Sequence, residues 1–201
     1  MDLVAGPQGS GKSTFFPVAE RGFGAHYNAD DERRRLNRGS SRDIPESVRT
    51  RVLAAYVAFV EERIQSRRSF SIEVTLAREA TFEQASRAQA SGFLVLLTYV
   101  AAPVDECARR VRARVQAGGH GLPEPAQRQT YADSIANLRR ALEAFDVVEV
   151  YDASVRARLD ALLYSAIPRR VLATRAGEVV FRDPDAPPWL ADALRGSRFA
   201  R

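Results

Sequence analysis

The chain has 201 residues, 45% of them hydrophobic, and a formal net charge of +5. That length buries a full core in one compact α/β unit without a second domain, and the charge suits an anionic ligand, although arginine is spread along the chain instead of gathered in a tail. One cysteine excludes an internal disulfide framework, no apolar run approaches the ~18 residues of a membrane span, and no signal peptide precedes the first strand, so a soluble cytoplasmic protein is expected.

In chain order, Leu3-Val4-Ala5 reads as the end of a short buried strand and Ser13-Thr14-Phe15-Phe16 as the start of a helix. Between them Gly6-Pro7-Gln8-Gly9-Ser10-Gly11-Lys12-Ser13 has the G-x-x-x-x-G-K-[ST] spacing of a phosphate-binding loop. Glycines let such a loop curl its N–H groups onto phosphate oxygens, lysine reaches the β- and γ-phosphates, and the serine hydroxyl binds magnesium. Of the 30 basic side chains only Lys12 is a lysine, placed where a compact ammonium is needed and a planar guanidinium would not fit. ATP and Mg2+ are therefore the expected cofactors. Gly6, Gln8, Gly9, Ser10, Gly11, Lys12, Ser13 and Thr14 are the candidate nucleotide contacts, Ser13 being also the metal ligand. Pro17 falls where the first helix should be running, which predicts a late, kinked or short helix.

Ala25 to Ala29 reads as a second strand, with Asp30 and Asp31 at its carboxyl end, where ligands sit in open α/β sheets. Asp30 is a helix cap or a general base facing the γ-phosphate; both readings stand at this point. Arg33, Arg34 and Arg35 read first as a solvated face, with substrate contact as the second reading, and His26 reads as structural. Pro45 to Arg67 is a helix whose stripe is Val48, Val52, Ala55, Phe59 and Val60. Phe70 to Leu76 alternates as a strand, placing Ser71, Glu73 and Thr75 on one face. A carboxylate in mid-strand is costly unless it is paired or used, which singles out Glu73.

A helix from Glu79 to Ser91 ends at Gly92, and Phe93 to Val100 is an uninterrupted apolar run of the central-strand type. The helix from Pro103 to Ala117 buries Val104, Ala108, Val111 and Val115, with Cys107 as a small core residue. Beside them lie Arg110 and Arg114, whose like charges four residues apart suit an anion between or above them. The glycine-rich stretch Gly118 to Pro123 suits a lid loop. Glu124 to Phe145 is helical and Asp146 to Tyr151 is the last core strand. Beyond it, Arg156 to Ser165 reads as a helix, Val171–Thr174 and Glu178–Phe181 as a hairpin about Ala176-Gly177, and Pro187-Pro188-Trp189-Leu190 as the start of a final helix.

These pieces resemble the zeta toxin family of small-molecule kinases over residues 3 to 152. The resemblance is carried by Gly6 to Thr14, Asn28-Ala29-Asp30, Ile72-Glu73-Val74-Thr75-Leu76, Arg110-Val111, Arg114-Val115, Gly118-Gly119-His120, Tyr131, Ser134, Asn137-Leu138 and Tyr151-Asp152. It implies an α/β, P-loop kinase-like three-layer fold with a mostly parallel sheet and a helical lid around residues 110–131, while the elements beyond residue 152 read by their own pattern as an edge cover over 153–201. It further implies that Asp30 is the base that deprotonates a substrate hydroxyl, and that Glu73 holds the substrate with Thr75 and His120 as further acceptor contacts. Arg114 and Arg128 are then the lid pair that steadies the transferring phosphoryl group, with Arg110 on the nucleotide. Two departures stand out: Gln129-Thr130 precede Tyr131 where the family usually has an arginine, and Asp152-Ala153-Ser154 replaces Asp-Asn-Ser. The resemblance implies Mg·ATP-dependent transfer to a small-molecule hydroxyl, a UDP-activated amino sugar in the best-known members, and a small helical antitoxin as partner. A polynucleotide 5′-kinase and a non-catalytic nucleotide-dependent switch are the competing readings, although no basic channel with stacking aromatics is visible to indicate nucleic acid.

Overall fold

The computed structural model describes residues 1–40, 43–154 and 168–200. Its strands are β1 (Asp2–Ala5), β2 (Ala25–Tyr27), β3 (Phe70–Val74), β4 (Leu96–Ala101), β5 (Val147–Asp152), β6 (Arg169–Arg175) and β7 (Glu178–Arg182). They form one sheet in the order β2-β3-β1-β4-β5-β6-β7. The first five run parallel and the last two are added antiparallel. Its helices are α1 (Lys12–Phe15), α2 (Ala29–Leu36), α3 (Glu46–Gln65), α4 (Glu79–Ala90), α5 (Val104–Gln116), α6 (Glu124–Ala144) and α7 (Pro188–Leu194). The expected helix over 156–165 lies outside the described residues. No described helix is long and apolar enough to cross a membrane.

The core forms where the apolar runs meet. Leu3, Val4 and Ala5 of β1 are fully buried between β3 and β4, and Ile72, Leu97, Tyr99 and Val100 are buried beside them. Because β1 is flanked by strands that follow it in sequence on both sides, the loop after β1 opens between the carboxyl ends of β3 and β4. The start of β1 carries a buried charge: Asp2 accepts hydrogen bonds from Arg21 at 3.1 and 3.0 Å and from the Ser71 hydroxyl at 2.9 Å. This pairing tethers the segment after α1 to the sheet and relieves the cost of burying a carboxylate.

Several expected boundaries shift for local reasons. α1 has only four residues, because Pro17 stops it, and a 3₁₀ turn at Val18–Glu20 follows. β2 ends at Tyr27, since Asn28 turns out to be the N-cap of α2. β3 ends at Val74, and Leu76 lies beyond it at φ 61° while remaining fully buried. On α5 the buried residues are Cys107, Ala108 and Val111, whereas Val115 is 44% exposed.

The C-terminal elements extend the sheet. Ala176 and Gly177, at φ 45° and 76°, form the tight turn between β6 and β7. Val171, Leu172, Trp189, Leu190, Leu194 and Phe199 join the same hydrophobic core as Leu3 and Ile72.

Candidate active site

The loop after β1 can take no side chain where it bends most tightly. Gly6 has φ 137°, and a Cβ there would lie 2.0 Å from the Val100 carbonyl; Gly9 has φ 79°, and a Cβ there would lie 2.3 Å from the Cys107 carbonyl. The glycines therefore let the loop lie directly on β4 and α5. Ser10 is fully buried with no partner for its Oγ, and Gln8 Oε1 is likewise buried without one. An orphaned buried hydroxyl in a glycine-rich loop of this spacing fits a phosphate-bearing ligand. With α1 so short, that cradle depends on the loop amides more than on a helix dipole.

Lys12 is buried and donates to the Pro7 carbonyl at 3.0 Å. Burial pushes its pKa down, and the nearby carboxylates of Glu73 and Asp30 oppose that shift. Ser13 and Thr14 are exposed on α1. The Ser13 hydroxyl donates to both carboxylate oxygens of Glu73, at 3.0 and 2.9 Å. That leaves the oxygen's lone pairs free, and a hydroxyl beside a carboxylate is a hard-oxygen set suited to magnesium.

Beside the loop is a cavity of about 410 Å³ whose wall includes Ser13, Asp30, Arg33, Glu73, Arg114 and His120. Asp30 sits in the first turn of α2 and pairs with Arg33 one turn on. It is not the cap: Asn28 Oδ1 accepts the backbone N–H groups of Asp30 at 2.8 Å and Asp31 at 3.4 Å. Arg34 pairs with Asp31 in the same wall, so two of the three arginines read as a solvated face border the cavity. Arg114 lines it, and its guanidinium has no hydrogen-bond or ion-pair partner among the described residues. His120 has its pKa lowered mainly by burial; Asp30 opposes the shift, and Arg33, Arg114 and Arg49 reinforce it.

Other expected contacts fall elsewhere. Arg110 is turned to the phosphate loop: its guanidinium donates to the carbonyls of Gly9 at 3.3 Å, Ser10 at 3.4 Å and Ala153 at 2.7 Å, and pairs with Glu106. It braces the phosphate loop from behind. Arg128 is not brought to the cavity, because it is held by Asp105 at 3.0 Å and Glu124 at 3.1 Å on the exposed side of α6. Thr75 is also absent from the wall, and its carbonyl accepts the Ser134 hydroxyl at 2.5 Å. Tyr131 donates to the Ala102 carbonyl at 3.0 Å and Asn137 to that of Leu76 at 2.9 Å, so this stripe of α6 fastens the helix to the strand ends. The sequence reading gave no role to Asn28; its place two residues before a run of charged helical residues is the cap signal that could have found it.

A family model described as an AAA domain matches residues 1–141. No curated protein sequence matches the chain. Among solved structures, a crystal structure of AvrRxo1-ORF1:-ORF2 with ATP aligns with TM-score 0.61 and 14% identity, over 89% of this chain and 59% of that one. The PezAT chromosomal toxin-antitoxin system of Streptococcus pneumoniae aligns with TM-score 0.58 and 17% identity, over 76% and 67%. The Pnkp1/Rnl/Hen1 RNA repair complex aligns with TM-score 0.53 and 20% identity, over 69% and 45%. The chain thus spans 59% of the matched AvrRxo1 chain's length. At these identities the likeness is one of fold, a mostly parallel α/β sheet of the P-loop kinase kind.

Proposed function

The chain belongs to the AAA domain family, and from that membership and the geometry of the cavity we propose that it is an ATP- and Mg2+-dependent kinase phosphorylating a hydroxyl of a small molecule. One observation carries the reading: two carboxylates, Asp30 in the first turn of α2 and Glu73 near the end of β3, line the same cavity as Ser13 of the phosphate loop and Arg114, whose guanidinium has no partner among the described residues. A nucleotide-dependent switch has no need of a carboxylate set beside an acceptor-sized space.

In this reading the loop amides and Lys12 hold the triphosphate, with Ser13, supported by Glu73, on its metal side. When bound, magnesium neutralises charge on the β- and γ-phosphates. Asp30 takes the proton of the acceptor hydroxyl, and Arg114 meets the charge on the transferring group. Glu73 borders both the metal side and the cavity, so its part in holding the acceptor is shared with Ser13. Positioning and charge compensation supply most of the rate in such transfers.

Among the described residues the cavity wall contains no Phe, Tyr or Trp ring, which favours a small acceptor over a polynucleotide end. The resemblance to zeta toxins makes UDP-activated amino sugars the first acceptors to try and a small helical antitoxin the first protein partner. Incubation with γ-labelled ATP and separate pools of nucleotide sugars, small alcohols and oligonucleotides tests the proposal. Label should enter a small-molecule pool and be absent with Lys12→Ala; transfer to oligonucleotides alone, or to nothing, refutes it.

A further inference from the structure

We infer that Asn28 is a positioning residue that ties the metal side of the site to the candidate base. The inference rests on the kinase reading above. Tyr27 and Ile72 are paired in the parallel register of β2 and β3, so the next residues, Asn28 and Glu73, emerge side by side. Asn28 Oδ1 accepts the N–H groups that open α2, at 2.8 Å from Asp30 and 3.4 Å from Asp31. Its Nδ2 donates to Glu73 Oε2 at 3.2 Å, and Glu73 in turn accepts from the Ser13 hydroxyl at 2.9 Å. Four residues thus form one chain of hydrogen bonds from the phosphate-loop serine to the backbone of Asp30.

The chemistry of the side chain selects asparagine. Aspartate and serine cap a helix about as well as asparagine does, but aspartate has no donor and a hydroxyl must accept and donate through one oxygen, whereas the amide sets its acceptor and its donor on two separate atoms. A plain cap explains Oδ1 and leaves Nδ2 without a purpose. The amide fixes the Glu73 carboxylate, which fixes the Ser13 hydroxyl, and it holds the turn that presents Asp30. Outer partners of this kind typically change metal affinity or activity about 10–100-fold.

Two substitutions separate capping from coupling: Asn28→Asp keeps the cap acceptor, Asn28→Gly weakens the cap only slightly, and both lose the donor to Glu73. Three quantities are measured: the melting temperature, Mn2+ affinity of the ADP complex by electron paramagnetic resonance, and slow ATP hydrolysis without acceptor. Asn28→Gly should melt close to the wild type, and Asn28→Asp, which sets a second carboxylate against Glu73, below it, while in both Mn2+ affinity and hydrolysis fall about 10–100-fold. Glu73→Gln should fall likewise. In Asn28→Asp with Glu73→Gln the polarity of the contact is reversed, because the new glutamine donates to the new aspartate. The pair should therefore recover much of the product of the two losses. Wild-type Mn2+ affinity and turnover in both Asn28 variants, or strictly multiplicative losses in the double variant, overturn the coupling and leave the kinase reading intact. A Lys12→Ala protein that hydrolyses ATP like the wild type overturns the kinase reading itself.

Discussion

Asp30 is where a catalytic and a structural reading part most cleanly. The helix cap belongs to Asn28, so Asp30→Asn should leave the melting temperature near that of the wild type. Removing a carboxylate beside the triphosphate should keep or slightly tighten ATP binding while lowering kcat by roughly 10²–10⁴, the usual share of a positioned base. Full transfer by this variant would move the base elsewhere. Asn28→Ala, by contrast, should cost about 1 kcal/mol of stability in a denaturant melt through the lost cap. The arginines divide in the same manner. Arg114, with no partner for its guanidinium among the described residues, should cost ~10³–10⁵ in kcat when replaced by alanine; Arg128, engaged by Asp105 and Glu124, should be nearly silent in single-turnover assays. A large loss at Arg128 would show that α6 moves it into the site during turnover. None of this division was legible in the sequence. Asn28, Asp30 and Asp31 are all good caps, and which one occupies the cap depends on where β2 leaves the sheet. Arg110 and Arg114 share a helical face, yet only the first meets the carbonyls of the phosphate loop.

Helices and strands were more legible than the contacts between them. The apolar period of α3 and α4, the run in β4 and the Ala176-Gly177 turn are local patterns, and local patterns survive in sequence. The order of the strands does not, because parallel pairing is made across long crossovers that leave no short-range mark. The stripe Tyr131, Ser134 and Asn137 shows the same limit: its spacing of three places it on one helical face, but only the fold reveals that the face bonds strand-end carbonyls. The loop between α5 and α6 allows a prediction about pH. Burial holds the His120 pKa below its ordinary 6.5. On acidification through that value the unfolded chain binds a proton first, so His120 lowers stability at acid pH and has no effect on it above. The wild-type melting temperature should accordingly drop more steeply below about pH 6.5 than that of His120→Gln. Equal slopes would mean that the loop opens and solvates the imidazole.

Whether the C-terminal third is a detachable cover or part of one folding unit is decided by what it buries. Residues 1–141 match the family, and the phosphate loop, Asp30, Glu73, Arg114 and His120 all fall within them. The packing runs further. β6 lies along the edge of β5 from Val147 to Asp152, and Val171, Leu172, Trp189, Leu190, Leu194 and Phe199 enter the main core. Trp189 Nε1 donates at 3.0 Å to the buried Asp152, and the next carbonyl, of Ala153, receives Arg110, which also braces Gly9 and Ser10. A physical path therefore connects α7 to the phosphate loop. Trp189→Phe keeps most of the apolar volume and removes one hydrogen bond to a buried carboxylate, which should cost about 1.5–3 kcal/mol in denaturant unfolding. Stopping the chain after Ala153 should do far more. It would leave β5 as an unpaired apolar edge and uncover Leu142, Val148 and Val150, which are fully buried in the whole protein. The shortened chain should bind a hydrophobic dye, lose its cooperative melt and fail to retain ATP, although every proposed catalytic residue is present. A cooperative melt near that of the full chain would show that 1–153 folds by itself and that the C-terminal strands and helix are an accessory.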